Sequence, residues 1–70
     1  MDNKIKILTS LRDFGRLPSN KICAIAGINY DYFKDEIKEL LKDKLVSEEK
    51  AGELATYWEI TKKGLISLQC

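Results

Sequence analysis

The chain has no histidine. That removes the commonest general base and the commonest zinc ligand. Its two cysteines, Cys23 and Cys70, cannot form a metal site by themselves. Cys23 reads as a small buried apolar residue. Cys70, the last residue, reads as exposed and open to an intermolecular disulfide. Proline occurs once and glycine four times, so nothing suggests low complexity or a disordered tract. No apolar run approaches the ~20 residues that a membrane span needs. Met1-Asp2-Asn3-Lys4 leads into a polar-studded helix rather than the apolar core of a signal peptide, so a cytoplasmic location is expected. There is no glycine-rich phosphate loop, and no serine sits in a nucleophile-elbow pattern. The carboxylates fall on faces that read as solvated. These absences argue against an enzyme, and no cofactor, metal or small-molecule ligand is expected.

What is present fits one small domain spanning residues 1–70, with 44% hydrophobic and 33% charged residues. Twelve basic residues against eleven acidic ones leave a net charge of +1. Residues 1–30 carry five basic and two acidic groups (+3), and residues 31–70 carry seven and nine (−2). Any surface for an anionic partner must therefore be a local stripe.

The stretch Ser19–Lys44 organises the chain. Ser19 is a helix N-cap candidate, since its hydroxyl can accept from a first-turn N–H. An amphipathic pattern runs from it to Ala26. Gly27 stands where a helix favours a left-handed residue, and Asn29 is the next cap candidate. The second pattern runs over 29–44, with Phe33, Ile37 and Leu40 at i, i+4, i+7 and with Leu41 and the Lys44 stem beside them. Two helices joined by a tight glycine turn read as helix-turn-helix.

A first helix is expected from about Asp2 to Phe14, stopped by Gly15. Ile5, Ile7, Leu8, Leu11 and Phe14 span about 180° of its surface, against the roughly 100° of an ordinary surface helix. Such a helix should be covered on two sides, by the core and by a further helix of this chain or of a second subunit. Arg16-Leu17-Pro18 reads as a connector. Leu45–Glu49 and Leu54–Ile60 read as the arms of a β-hairpin turned at Gly52. Leu54, Thr56, Trp58 and Ile60 share one side, and Trp58 is expected in the core, with base stacking as the alternative. Thr61 can cap a short last helix that must dock to be stable.

Three motifs give the chain a family likeness. Ile25-Ala26-Gly27-Ile28-Asn29 looks like the turn of winged helix-turn-helix regulators, in which an apolar residue follows the glycine into the core. Phe33, Ile37, Leu40 and Leu45-Val46 match their run from recognition helix into the first wing strand. Ile60-Thr61-Lys62-Lys63-Gly64 is similar to the "Leu-Thr-x-x-Gly" at the strand end of MarR- and PadR-like and many archaeal regulators, with Ile60 in the leucine place. The resemblance implies an α+β winged helix: three helices, a two-stranded wing and a short C-terminal helix. It also implies sequence-specific duplex DNA binding by a small transcriptional regulator, commonly a homodimer, with helix 29–44 in the major groove.

The residues bear on this directly. On a wheel of about 100° per residue, Lys34, Lys38 and Lys42 form one line, while Glu36, Glu39 and Asp43 take the opposite flank. The lysines can neutralise phosphates or reach guanine edges, and Asp31 and Asp35 can accept from cytosine. Equally, Asp31–Lys34, Asp35–Lys38 and Glu39–Lys42 have the spacing of ordinary surface ion pairs. Asn29, Tyr30 and Tyr32 occupy the helix start, where N–H groups attract phosphate, and Tyr30 can instead pack as a half-buried aromatic. Arg16 and Ser19 near the helix-turn-helix, and Lys50 on the wing, complete the candidate DNA contacts. The wing is otherwise acidic, with Glu48, Glu49 and Glu53. That acidity and the near-zero net charge support a second reading, a winged helix used for protein–protein contact.

Overall fold

The computed structural model describes residues 2–52 and 55–69. The elements are α1 (Asn3–Phe14), β1 (Leu17–Pro18), α2 (Ser19–Ala26), α3 (Tyr30–Lys42), β2 (Val46–Ala51), β3 (Ala55–Ile60) and α4 (Lys62–Leu68). This is the expected winged helix with one strand more. Leu17 and Pro18 pair antiparallel with Trp58 and Tyr57, so the sheet has three strands in the order β1-β3-β2. The Arg16-Leu17-Pro18 connector is therefore in part a strand. Proline has no N–H for a ladder, and it is accommodated here on an edge strand.

Local chemistry sets most helix ends. The Asp2 carboxylate accepts from the Lys4 N–H at 2.9 Å and caps α1, and Gly15 ends it. Gly27 takes the left-handed conformation (φ 68°, ψ 40°) that closes α2. The chain then turns at once, so that Ile28 enters the core. The Asn29 side chain accepts from the Asp31 N–H at 3.1 Å and starts α3. Two ends depart from expectation. Ser19 is the first residue of α2 rather than its cap; Pro18 holds the cap position and makes no side-chain cap bond. At the other end, α3 stops at Lys42, and Lys44 adopts a left-handed φ of 62°. That conformation turns the chain into β2, and the Lys44 side chain is exposed rather than packed along the helix stripe.

The core is built from Ile7, Leu8 and Leu11 of α1, Ile22 of α2, Ile28, Phe33, Ile37 and Leu40 of α3, Val46 of β2 and Trp58 of β3. Trp58 is 6% exposed, which places it in the core and removes the base-stacking alternative. Its ring meets Phe33 edge-on at 6.4 Å. Its indole N–H donates to the Ser19 hydroxyl at 2.9 Å. The Ser19 oxygen thus serves a buried donor 39 positions away instead of its own helix. Cys23 is half-buried and packs against this core. Burial pushes its thiol above the usual range, so it stays protonated at neutral pH. Leu41 is exposed at the margin of the core. The expected placement of Leu54, and the readings of Glu53 and Cys70, fall outside the described residues.

The Ile60-Thr61-Lys62-Lys63-Gly64 motif locks the C-terminal helix to the end of α3. The Thr61 N–H donates to the Leu45 carbonyl at 3.1 Å. Its hydroxyl donates to the Lys44 carbonyl at 2.8 Å and accepts from the Gly64 N–H at 3.1 Å. Gly64 is buried. A Cβ there would strike the Leu45 carbonyl oxygen and lie 2.7 Å from Ile60 Cγ1. The glycine is needed for close approach, not for an unusual φ.

Gly64→Ala forces α4 off the Leu45 backbone and should cost about 1–3 kcal/mol, read as a lower denaturant midpoint. Ser19→Ala leaves the Trp58 N–H unpaired and should cost about 1–3 kcal/mol, whereas the same change in a Trp58→Phe background should cost well under about 1 kcal/mol. Equal costs in both backgrounds would mean that Ser19 acts as a helix cap after all.

Candidate nucleic-acid interface

Helix α3 separates its charges by flank. The acidic flank turns toward α1, where the Glu39 carboxylate meets the Lys4 ammonium at 3.3 Å. The hydrogen bond and charge of Glu39, with a smaller contribution from Glu36, hold the Lys4 ammonium above its usual pKa. The lysine flank turns the other way, toward the sheet. Lys34 and Lys38 line a groove of about 270 Å³ between α3 and the wing, over a floor that includes Phe33, Ile37 and Trp58. Lys42 continues the flank and is exposed. Of the three spacings that suggest ion pairs, only Asp31–Lys34 is observed among the described residues, and at 3.9 Å it is loose. Lys38 and Lys42 form no ion pair there, and their neighbour Asp35 is equally exposed. An exposed ion pair of this kind is worth at most about 1 kcal/mol, so the flank stays available to a stronger anion.

The start of α3 presents aromatic and polar groups. Tyr30 and Tyr32 are both exposed. Tyr30 lies 6.0 Å from the Phe33 ring and 6.0 Å from the Lys34 ammonium, so it stands exposed on the rim of the groove rather than half-buried. It also borders a second hollow with Pro18, Ser19, Asn20, Ala55 and Thr56. The Asn29 carboxamide oxygen is engaged at the cap, next to Asp31. Ser19 lines both hollows with its oxygen already accepting from Trp58.

The wing is less exposed to anion repulsion than its composition suggests. Glu49 is held by Arg16 at 3.1 Å. The Arg16 guanidinium also lies over the Tyr57 ring, 4.7 Å from its centroid. Arg16 on the approach to β1 thus reaches across Tyr57 of the central strand to Glu49 on β2. It is a partnered group and not a free cation. Glu48 is different: it lines the α3 groove opposite Lys34 and Lys38. Hairpin alternation separates Glu48 from Glu49, but only the register with Trp58 shows that Glu48 shares the groove. Lys50, opposite Thr56, is exposed toward the wing tip and forms no ion pair among the described residues. No group of three or more potential metal ligands occurs among the described residues.

The fold of this chain is similar to that of several solved proteins. Bordetella bronchiseptica BpsR, whose DNA binding is regulated by 6-hydroxynicotinic acid, matches with a TM-score of 0.92 at 17% identity, over 99% of this chain and 54% of that one. The Streptomyces coelicolor transcriptional regulator PcaV matches with a TM-score of 0.92 at 13% identity, over 99% and 50%. A MarR-family transcriptional regulator from Silicibacter pomeroyi matches with a TM-score of 0.91 at 19% identity, over 96% and 46%. The chain spans about half the length of these proteins, and at such identities they establish the fold, a winged helix. Comparison with curated proteins finds no match by sequence. Residues 10–61, from the second half of α1 to the end of the wing, match the Mnd1 HTH domain. The chain therefore belongs to the Mnd1 HTH domain family.

Proposed function

We propose that the chain binds duplex DNA as a small transcriptional regulator, with α3 in the major groove. One observation carries this reading: Glu39 on the acidic flank of α3 pairs with Lys4 of α1, and Lys34, Lys38 and Lys42 lie open on the side of the wing groove. A helix that is nearly neutral in total thereby offers DNA a cationic edge. Lys34 and Lys38 are the leading contacts, to phosphate or to guanine O6 and N7. Tyr30, Asp31 and Asp35 are the candidates for base-edge contact. Asn29, Tyr30 and Tyr32 sit where the first-turn N–H groups of α3 attract phosphate. Lys50 reaches the neighbouring backbone. Arg16 contributes through its hold on Glu49, and Ser19 through its seat under Trp58. The reading treats residues 1–70 as one DNA-binding domain that works as a homodimer.

Glu48 opposes this interface. A carboxylate and a phosphate in contact repel by about 1 kcal/mol in water, and by more once desolvated. It is also the observation that favours a protein partner, for which the groove would take a basic side chain beside its apolar floor.

Fluorescence anisotropy of a labelled random duplex, from low to rising salt, separates the two. Binding should weaken with salt at a log–log slope of about −0.9 per phosphate neutralised. The Lys34→Ala/Lys38→Ala variant should lose most of the affinity and flatten the slope by about two. Glu48→Gln should tighten binding about twofold to fivefold, as expected when a charge repulsion of up to about 1 kcal/mol is removed. Absence of binding at low salt would overturn the DNA reading and leave the protein-contact module.

A further inference from the structure

The outward side of α1 carries apolar surface that the chain itself does not cover. Ile5 and Phe14 are 45% and 62% exposed, and Ile25 of α2 beside them is 40% exposed. They border a hollow of about 340 Å³, which Lys6, Thr9 and Asp13 also line. On the helix, at about 100° per residue, Ile5 and Phe14 mark the two edges of this side, and Lys6 and Asp13 lie together along its middle. Lys6 has no ion pair among the described residues. Asp13 Oδ1 accepts from the Arg12 Nε–H at 2.9 Å, which leaves Oδ2 for a second donor.

We propose that this side of α1 is a self-association surface, on which a second copy of the chain packs antiparallel about a two-fold axis near Thr9 and Ser10. The charges choose both the partner and its direction. Lys6 and Asp13 stand at equal distances on either side of that point. An antiparallel copy brings Lys6 against Asp13 of the partner subunit, twice by symmetry, as a two-fold interface requires. A parallel copy would set Lys6 on Lys6 and Asp13 on Asp13, and both contacts would repel. Thr9, small and near the axis, lets the helices approach, while Ile5, Phe14 and Ile25 flank the ion pairs and limit their access to water. The core side of α1 faces away from this surface, and Lys4 of α1 meets α3 on its acidic flank. Both copies therefore keep the lysine flank of α3 open. One short helix pair falls below the ~800 Å² per partner of a standard interface, so the free dimer is weak and assembles reversibly at micromolar or higher concentration.

Sedimentation equilibrium of the full chain without DNA, under reducing conditions and across micromolar to millimolar concentration, tests this independently of the DNA reading. The expected result is a reversible monomer–dimer equilibrium. Phe14→Glu and Asp13→Lys should each weaken it by tenfold or more, with circular dichroism unchanged because both side chains are exposed. Lys6→Asp/Asp13→Lys should recover most of the loss seen for either single change. A chain that stays monomeric to millimolar, dimerisation that Phe14→Glu does not affect, or a double variant no tighter than the singles would each overturn the proposal.

Discussion

The seat of Trp58 joins the parts of this molecule. The indole lies in the central strand of the sheet, so its backbone pairs with β1 through Leu17 and with β2 through Glu48. Its ring meets Phe33 of α3, and its N–H is satisfied by Ser19 of α2. One side chain thus fixes the wing against both helices of the helix-turn-helix. The constraint is strict because a buried N–H must find an acceptor, and Ser19 supplies it. The groove between α3 and the wing is a consequence. Its floor is Trp58 with Phe33 and Ile37, and its width follows from how the sheet docks on that floor.

Upon this frame the electrostatics are arranged by partner choice rather than by composition. With 12 basic and 11 acidic residues, the chain has little net charge to attract DNA. Glu39 is engaged by Lys4 and Glu49 by Arg16, and among the described residues the one ion pair of the α3 lysines is the loose contact of Lys34 with Asp31. Removing anions from the neighbourhood of a cationic line raises its local potential as effectively as adding lysines would. Glu48 is the exception, facing the same groove, and it would temper a DNA affinity that the lysines alone would set higher.

Much of this fold was legible along the chain because local rules decide it. Gly27 and Asn29 punctuate α2 and α3 through a left-handed turn and a side-chain cap, and Thr61 with Gly64 marks the start of α4. The stripe of Phe33, Ile37 and Leu40 names the buried face of α3 by spacing alone. What escaped the sequence depends on partners far away in the chain. Two residues, Leu17 and Pro18, have no periodicity from which to read a strand, and only their pairing with Tyr57 and Trp58 makes them one. Ser19 has the chemistry of a cap, yet its oxygen goes to a donor beyond local reach. Lys44 turns the chain with a positive φ without glycine to announce it. At the candidate site, the lysine line was visible from the wheel. The engagement of Arg16 by Glu49 across Tyr57, and the turning of Glu48 into the groove, depend on the strand register.

The central claim is that the lysine side of α3 and the wing groove beside it form the DNA-facing surface. Titrating an isotopically labelled chain with a short duplex and following each backbone amide by NMR tests it most directly. The account predicts shifts concentrated in 29–42 and at Glu48 and Thr56, with the outward side of α1 at Ile5, Thr9 and Asp13 unmoved by the duplex itself. Shifts centred on α1 or α4, with α3 silent, would contradict it.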